Sequence, residues 1–489
     1  MEMNRLADFE HIPEGADQFP LEFIETRGVL KLGQRGDSVL VGLTDADDIL
    51  LKSELSFFLK VPIEFLLIDR QDLAEHLGRQ FSQVTTNAFS EVNEKVLLDK
   101  LANDAPVVNL VNNILLEGIR LGCSDVHFES RLKDVRVRYR IDGVLRTGRI
   151  LPRDVFPSLS SRIKVMANLN IIERRQPQDG RLSVNVGGLD VEFRVSIVPL
   201  TEGESIVLRF FQRQGAVASL EKLGFSGFFL DRLRAVARTT NGLILITGPT
   251  GSGKTTTLNA LIREISREDN KVITIEDPVE NRLDGVNQIQ TNDAIGLGFD
   301  SILRRLLRQD PDVLMVGEIR DRKTADLSLR SALTGHLVLS TLHTNDALGA
   351  IPRLANMGAE TFLLGAVLRA VGAQRLVRTI CPHCKEVIVP KPSQKLWIEK
   401  SLGSLDHVFY AGKGCDECEH SGYKGRTVVS ELFLIDEQVE EMIVQGRRRK
   451  DLELYYRDRK DTFLLDDALA KALEGMTTID EIERAVFLR

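Results

Sequence analysis

The sequence predicts an α/β protein of several domains, and three observations carry that prediction. At 489 residues the chain exceeds what one compact core holds, so two to four domains are expected. From about Leu223 onward, short apolar runs (LILIT, VITIE, VLMVGE and LVLSTL) alternate with helical patterns, as the strands of a parallel sheet covered on both faces do. Ahead of that region the patterning differs: first a small α/β unit, then an α+β unit in which helices alternate with hairpins.

Taken in order, residues 1–82 mix a strand-like run, DSVLVGL, with helix-like DDILLKSELSFFL and DRQDLAEHLGRQF, and hold no catalytic motif. Residues 83–104 are polar without clear period and read as a linker. The middle unit, 105–213, opens with PVVNLVNNILLEGIRLG, where helical spacing puts Val108, Val111, Leu115 and Ile119 on one face and Gly122 can end the helix. In VRVRYRIDGVLRTGRIL, Val135, Val137, Tyr139 and Ile141 alternate with arginines, and Asp142-Gly143 makes a hairpin turn. A helical stretch, VFPSLSSRIKVMANL, precedes a second hairpin turning at Gly187-Gly188. Residues 214–222 offer a short hinge, and 223–489 form the parallel-sheet domain, with a helical tail from about Leu434.

Composition narrows the class. Hydrophobic content of 43% with 28% charged residues describes a globular chain, and a balance of 64 basic against 71 acidic residues does not favour a nucleic-acid partner. The first fifteen residues lack a basic segment followed by an apolar one, and no run of eighteen apolar residues occurs. Neither a secretory signal nor a membrane span is expected. Five cysteines, four of them in two CxxC pairs, read as metal ligands in a reducing compartment and place the protein in the cytoplasm.

The chemistry concentrates in four stretches. GPTGSGKT fits G-x-x-x-x-G-K-[ST] and lies between a strand and a helix, the context that a phosphate-cradling loop requires. Its candidate nucleotide-binding residues are Gly248, Pro249, Thr250, Gly251, Ser252, Gly253, Lys254, Thr255 and the adjoining Thr256. Glycines let backbone N–H groups face phosphate, Lys254 reaches the β- and γ-phosphates, and the Thr255 hydroxyl ligates Mg²⁺. ITIEDPVE places Glu276, Asp277 and Glu280 just past a strand end, DPDVLMVGEIRD ends a strand near Glu318, and TGHLVLSTLHTNDA puts His343 at the end of its strand, beside the terminal phosphate.

These stretches, in this order, resemble the secretion ATPase superfamily of P-loop NTPases, with its Walker A, aspartate box, Walker B and histidine box. The resemblance runs from about residue 105 to the C-terminus. It implies a RecA-like C-terminal domain, Glu280 as the carboxylate that polarises water, Asp277 in support, and Glu318 in the Mg²⁺ shell. Arg194, in EFRVS, and Arg209, in ESIVLRF, match arginines that reach the γ-phosphate from a mobile domain. Arg304, Arg308 and Arg320 match further functional arginines.

The second motif is C-x₂-C, thirty residues, C-x₂-C: Cys381, Cys384, Cys415 and Cys418. Four thiolates at this spacing select Zn²⁺ and leave no open coordination position, so the expected role is structural, tying off an insertion at about 378–424. The clasp and the N-terminal domain set the chain apart from retraction motors of the superfamily. LVRTICPHCK and GYKGRT look closest to the type II secretion (GspE-like) members, with type IV pilus extension ATPases as the alternative. Membership implies a homohexamer peripheral on the inner membrane, with residues 1–82 docking on the cytoplasmic domain of an inner-membrane platform protein.

Overall fold

The computed structural model describes residues 105–487 apart from 187, 188, 212–217 and 405. Before residue 105 it describes 3, 4, 6, 9, 12, 13, 19, 23, 24, 27–36, 38–45, 48–59, 61–69, 72 and 73. The stretch read as a linker, 83–104, the turn at Gly187-Gly188 and most of DRQDLAEHLGRQF therefore lie outside the described residues. The chain divides into two compact units, Met1–Lys100 and Leu101–Arg489.

In the first unit, β1 (Met3–Asn4), β2 (Val29–Arg35), β3 (Ser38–Leu43) and β4 (Ile63–Ile68) form a sheet in the order β1-β4-β3-β2. The helix Ile49–Leu59 buries Leu51 and Leu55 in the same core as Val29, Val41 and Ile68.

The second unit begins with the helix Ala105–Arg120. An antiparallel sheet follows: β5 (Asp125–Ser130), β6 (Asp134–Ile141), β7 (Val144–Pro152), β8 (Gln178–Val186), β9 (Leu189–Leu200) and β10 (Gly203–Phe211), in the order β7-β6-β5-β10-β9-β8. Val111, Leu115, Leu159 and Ile163 from two helices pack on Val126, Phe128, Val137, Tyr139 and Phe193 of the sheet. The first helix is rotated from the expected face: Ile114 and Gly118 are buried, while Val108 and Ile119 are only half-buried. Gly118 sits there because a Cβ would stand 3.0 Å from the Cys123 sulfur and 3.1 Å from Val126. The β6–β7 turn is as expected, with Asp142 and Gly143 both at positive φ (49° and 81°), the backbone a two-residue hairpin demands.

The remaining strands are β11 (Gly242–Thr247), β12 (Val272–Glu276), β13 (Asn287–Gln290), β14 (Val313–Val316), β15 (Leu337–Leu342), β16 (Leu368–Ile380), β17 (Lys385–Ile388), β18 (Phe409–Gly412) and β19 (Tyr423–Leu434). Seven of them make one sheet, ordered β13-β12-β14-β15-β11-β16-β19, and only β19 runs antiparallel to its neighbour. β11 explains its own sequence: Leu243 and Leu245 enter the core on one face, Ile244 and Ile246 the core on the other. Within the stretch read as a hinge, Leu220 is fully buried in the second of those cores, against the same elements as Leu258 and Leu261. Four helices between Glu437 and Val486 make up the expected helical tail. Among the described residues no helix is long and apolar enough to cross a membrane.

Candidate functional site

β11 ends at Thr247 and a helix starts at Lys254, leaving Gly248–Gly253 as a loop at the carboxyl end of a central parallel strand. Gly248, Gly251 and Gly253 have φ of 149°, 76° and 86°, a region closed to most side chains. At Gly248 the crowding is also steric, since a Cβ would lie 2.5 Å from the Ser252 hydroxyl and 2.6 Å from the Gln374 carbonyl. No side chain caps the helix, so its first N–H groups and its positive end stay available to an anion. Lys254 is buried and folds over its own loop, donating to the carbonyls of Gly248 (2.8 Å) and Pro249 (3.1 Å). Burial pushes its ammonium down to about 8, with Glu318 opposing and Arg375 adding to the fall. Pro249 and Thr250 are exposed, Ser252 is buried, and Thr255 and Thr256 are half-buried on the first helical turn.

Acidic groups gather at the ends of the neighbouring strands. Glu276 closes β12, buried, accepting from Thr274 Oγ1 at 2.7 Å and Gln288 Nε2 at 2.9 Å. Four residues on, Glu280 is exposed, yet partial desolvation by its surroundings and then Glu276 raise its carboxyl above the ordinary range, while Arg194 and Arg209 act in the opposite sense. Glu318, two residues past β14, holds Arg320 Nε at 2.7 Å and His343 Nε2 at 3.0 Å, and Arg320 also lies 3.8 Å from Asp277. His343 follows β15 and is exposed; partial desolvation and then Lys254 hold its imidazole below its usual range, with Glu318 opposing.

Lys254, Glu318, His343, Arg320, Asp277 and Glu280 thus form one neighbourhood, and Arg194 and Arg209 of the six-stranded sheet are within electrostatic reach of its carboxylates. Arg209 is anchored through Nε to buried Asp125 at 2.8 Å. Arg304, on the helix Phe299–Leu306, and Arg308, just after it, are exposed and join none of these hydrogen bonds or ion pairs among the described residues.

Two neighbours were not among the expected residues. Gln374 Nε2 donates to the Ser252 carbonyl at 2.7 Å, and Arg375 Nη2 to the Asn345 carbonyl at 2.6 Å. Side by side on β16, they hold the phosphate loop and the segment after His343. Their only sequence signal is a polar pair between the apolar residues of VGA and LV.

The four cysteines of the CxxC pairs come together, their sulfurs all within 4.8 Å of one another and three of the separations at 3.7–3.9 Å. A tetrahedron with metal–sulfur bonds of about 2.3 Å has edges of about 3.8 Å, so the donor set fits Zn²⁺. Backbone N–H groups of Gly414, Cys415 and Gly422 point at two of the sulfurs at 3.3 Å and would orient them as thiolates. The lobe is closed by backbone lying on backbone: a Cβ at Gly412 would stand 2.0 Å from the Gly422 carbonyl oxygen. Gly412→Ala is therefore expected to cut bound zinc from about one per chain to well under half, as metal analysis would read. Full occupancy would mean that the two chain segments can part without loosening the cluster.

A glycine-rich loop between central strand and helix, backed by carboxylates at adjoining strand ends, defines an ATPase of the P-loop class. The sequence model of the Type II/IV secretion system protein family matches residues 100–484, and that of the MshEN domain matches residues 1–87. The chain belongs to the type II/IV secretion system protein family. It is 44% identical over 417 residues to the Type II secretion system ATPase E of Vibrio cholerae, covering 85% of this chain and 82% of that one. It is 37% identical over 500 residues to the Type IV pilus assembly ATPase PilB of Myxococcus xanthus, covering 98% and 87%. Among solved structures, the ATPase DotB of Legionella pneumophila superposes with a TM-score of 0.57 at 22% identity, over 77% of this chain and 94% of that one, a likeness of fold. The pilus retraction motor PilT with bound ADP gives 0.50 at 26% identity, over 76% and 95%.

Proposed function

We propose that the chain is a Mg²⁺-dependent, homohexameric ATPase that powers pseudopilus assembly and protein export by a type II secretion system from the cytoplasmic face of the inner membrane. The observation that carries the hydrolytic reading is that Glu280, near the phosphate loop, lies within electrostatic reach of Arg194 and Arg209. ATP would lie on the amides of Gly248–Thr255, its terminal phosphates against Lys254. Thr255 and Glu318 supply hard oxygen donors suited to Mg²⁺, which when bound neutralises phosphate charge. Glu280, supported by Asp277, takes the proton of the attacking water. His343, fixed by Glu318, faces the terminal phosphate, and Arg194 and Arg209 meet the charge that builds there. Arg320 ties Glu318 to Asp277, and Arg304 and Arg308 complete the arginine set. Four thiolates hold Zn²⁺ in a structural site.

In this reading residues 1–82 dock on the platform protein, 83–104 link, 105–213 supply the arginines across a hinge at 214–222, and 223–489 hydrolyse ATP. A type IV pilus extension motor is the second reading, favoured by the relative that spans 98% of the chain. Higher identity to the type II protein favours the first. Co-purification of the full chain with the cytoplasmic domains of type II and pilus platform proteins decides between them. Retention by the type II domain is expected, and retention by the pilus domain alone would reverse the assignment.

A further inference from the structure

Across the edge of the six-stranded sheet, Arg181 on β8 stands directly opposite Arg194 on β9, and Arg194 directly opposite Arg209 on β10. Residues paired in this way project from the same face with Cβ atoms about 5 Å apart, so three guanidinium groups lie abreast. Leu182, Phe193, Val195 and Leu208 are buried on the other face, which fixes the arginines on the open one. The row continues inward to Asp125 on β5, which takes Arg209 at 2.8 Å and faces Arg140 of β6 at 3.7 Å. It stops at Arg181, because β8 is an edge strand. Asp179 and Glu192 stand one row away on either side. Among the described residues Arg181 has no ion pair with either of them and no hydrogen-bonded acceptor. It is exposed.

Like charges directly opposite one another destabilise a sheet. Arg194 feels this: burial first, then Arg181, hold its guanidinium below the ordinary range, and Glu280 opposes them. The row itself holds one acid, Asp125, and Arg181 at its outer end has no carboxylate partner among the described residues; Arg194, next to it, is within electrostatic reach of Glu280 and Asp277 beside the phosphate loop. An arginine offers a rigid fork of donors matched to phosphate oxygens.

We propose that Arg181 is a third phosphate-binding arginine of the site, adding affinity for the triphosphate of ATP from the side of Arg194 remote from Arg209. The proposal rests on the reading in which Arg194 and Arg209 face the nucleotide. Arg181 stands at the outer end of the row, one strand farther than Arg194 from Arg209 and Asp125, so its contribution belongs to binding more than to the hydrolytic step.

The test uses the full-length chain, with Arg181→Ala and Arg181→Lys compared in equilibrium binding of ATP, in steady-state kinetics and in thermal unfolding without nucleotide. A lost charge-assisted hydrogen bond corresponds to about a tenfold change. Arg181→Ala should therefore raise the Kd and KM for ATP about tenfold, with a smaller fall in kcat than Arg209→Ala gives, and lysine should restore part of the affinity. Unaltered ATP affinity in the alanine variant, with or without a higher melting temperature, would overturn the proposal and leave the row as a cost to folding. Because this readout is binding, it stays separate from the hydrolytic reading, which stands or falls on the turnover of Arg209→Ala measured alongside.

Discussion

Arg209→Ala protein is expected to bind ATP still and to hydrolyse it roughly 10³–10⁵-fold more slowly, the range an arginine supplied to a phosphoryl-transfer site covers. Nε of Arg209 is spent on Asp125, whose carboxylate is buried, while the side chain as a whole is 67% exposed. The guanidinium is thus held by one edge and presents its other nitrogens outward, and little ordering remains to be done when phosphate arrives. Lysine cannot divide its donors in this planar way, so Arg209→Lys should rescue little. Single-turnover hydrolysis with pre-bound ATP separates the chemical step from binding. Turnover near that of the unaltered protein would remove Arg209 from the mechanism.

Glu280→Gln should lower turnover by about 10²–10⁴-fold, the usual worth of a positioned proton acceptor. The pH profile gives a second readout. Glu280 acts only when ionised, and its pKa is raised by partial desolvation and by Glu276. The rate kcat/KM should therefore fall as pH drops through a value above the ordinary carboxylate range, and the glutamine variant should lack that acid limb. Arg209 and Arg194 draw the same pKa down, so residual activity in Arg209→Ala should show the limb displaced to higher pH. A glutamine variant that keeps both rate and limb would place the proton acceptor elsewhere.

What could be read from sequence was whatever has a local cause. β11, β12, β14 and β15 appear where short apolar runs end in functional residues, because strands covered on both faces admit nothing polar until they leave the sheet. Asp142-Gly143 announced its turn because so few residue pairs tolerate two positive φ values. β16 escaped notice for the opposite reason. Its LRAVGAQRLVRTI mixes buried apolar residues with Gln374 and Arg375, whose side chains donate to carbonyls of loops distant in sequence. No periodicity encodes such partners. Asp125 was hidden in the same way: one of two acids in SDVHFES, it means little until strand register sets it between Arg209 and Arg140. Sheet order, and hence which strand ends meet, is a property of the closed fold alone.

One consequence concerns mechanical continuity. β16 touches the phosphate loop at Gln374 and reaches Cys381 seven residues later, about 23 Å of extended chain. β19 returns beside it in antiparallel register from Tyr423 to Leu434. A hydrogen-bonded ribbon of two strands scarcely stretches along its length. A tug on the metal-bound lobe, or a recoil from it, would run along this ribbon to the Ser252 carbonyl, with its one point of give at the irregularity between Arg378 and Ile380.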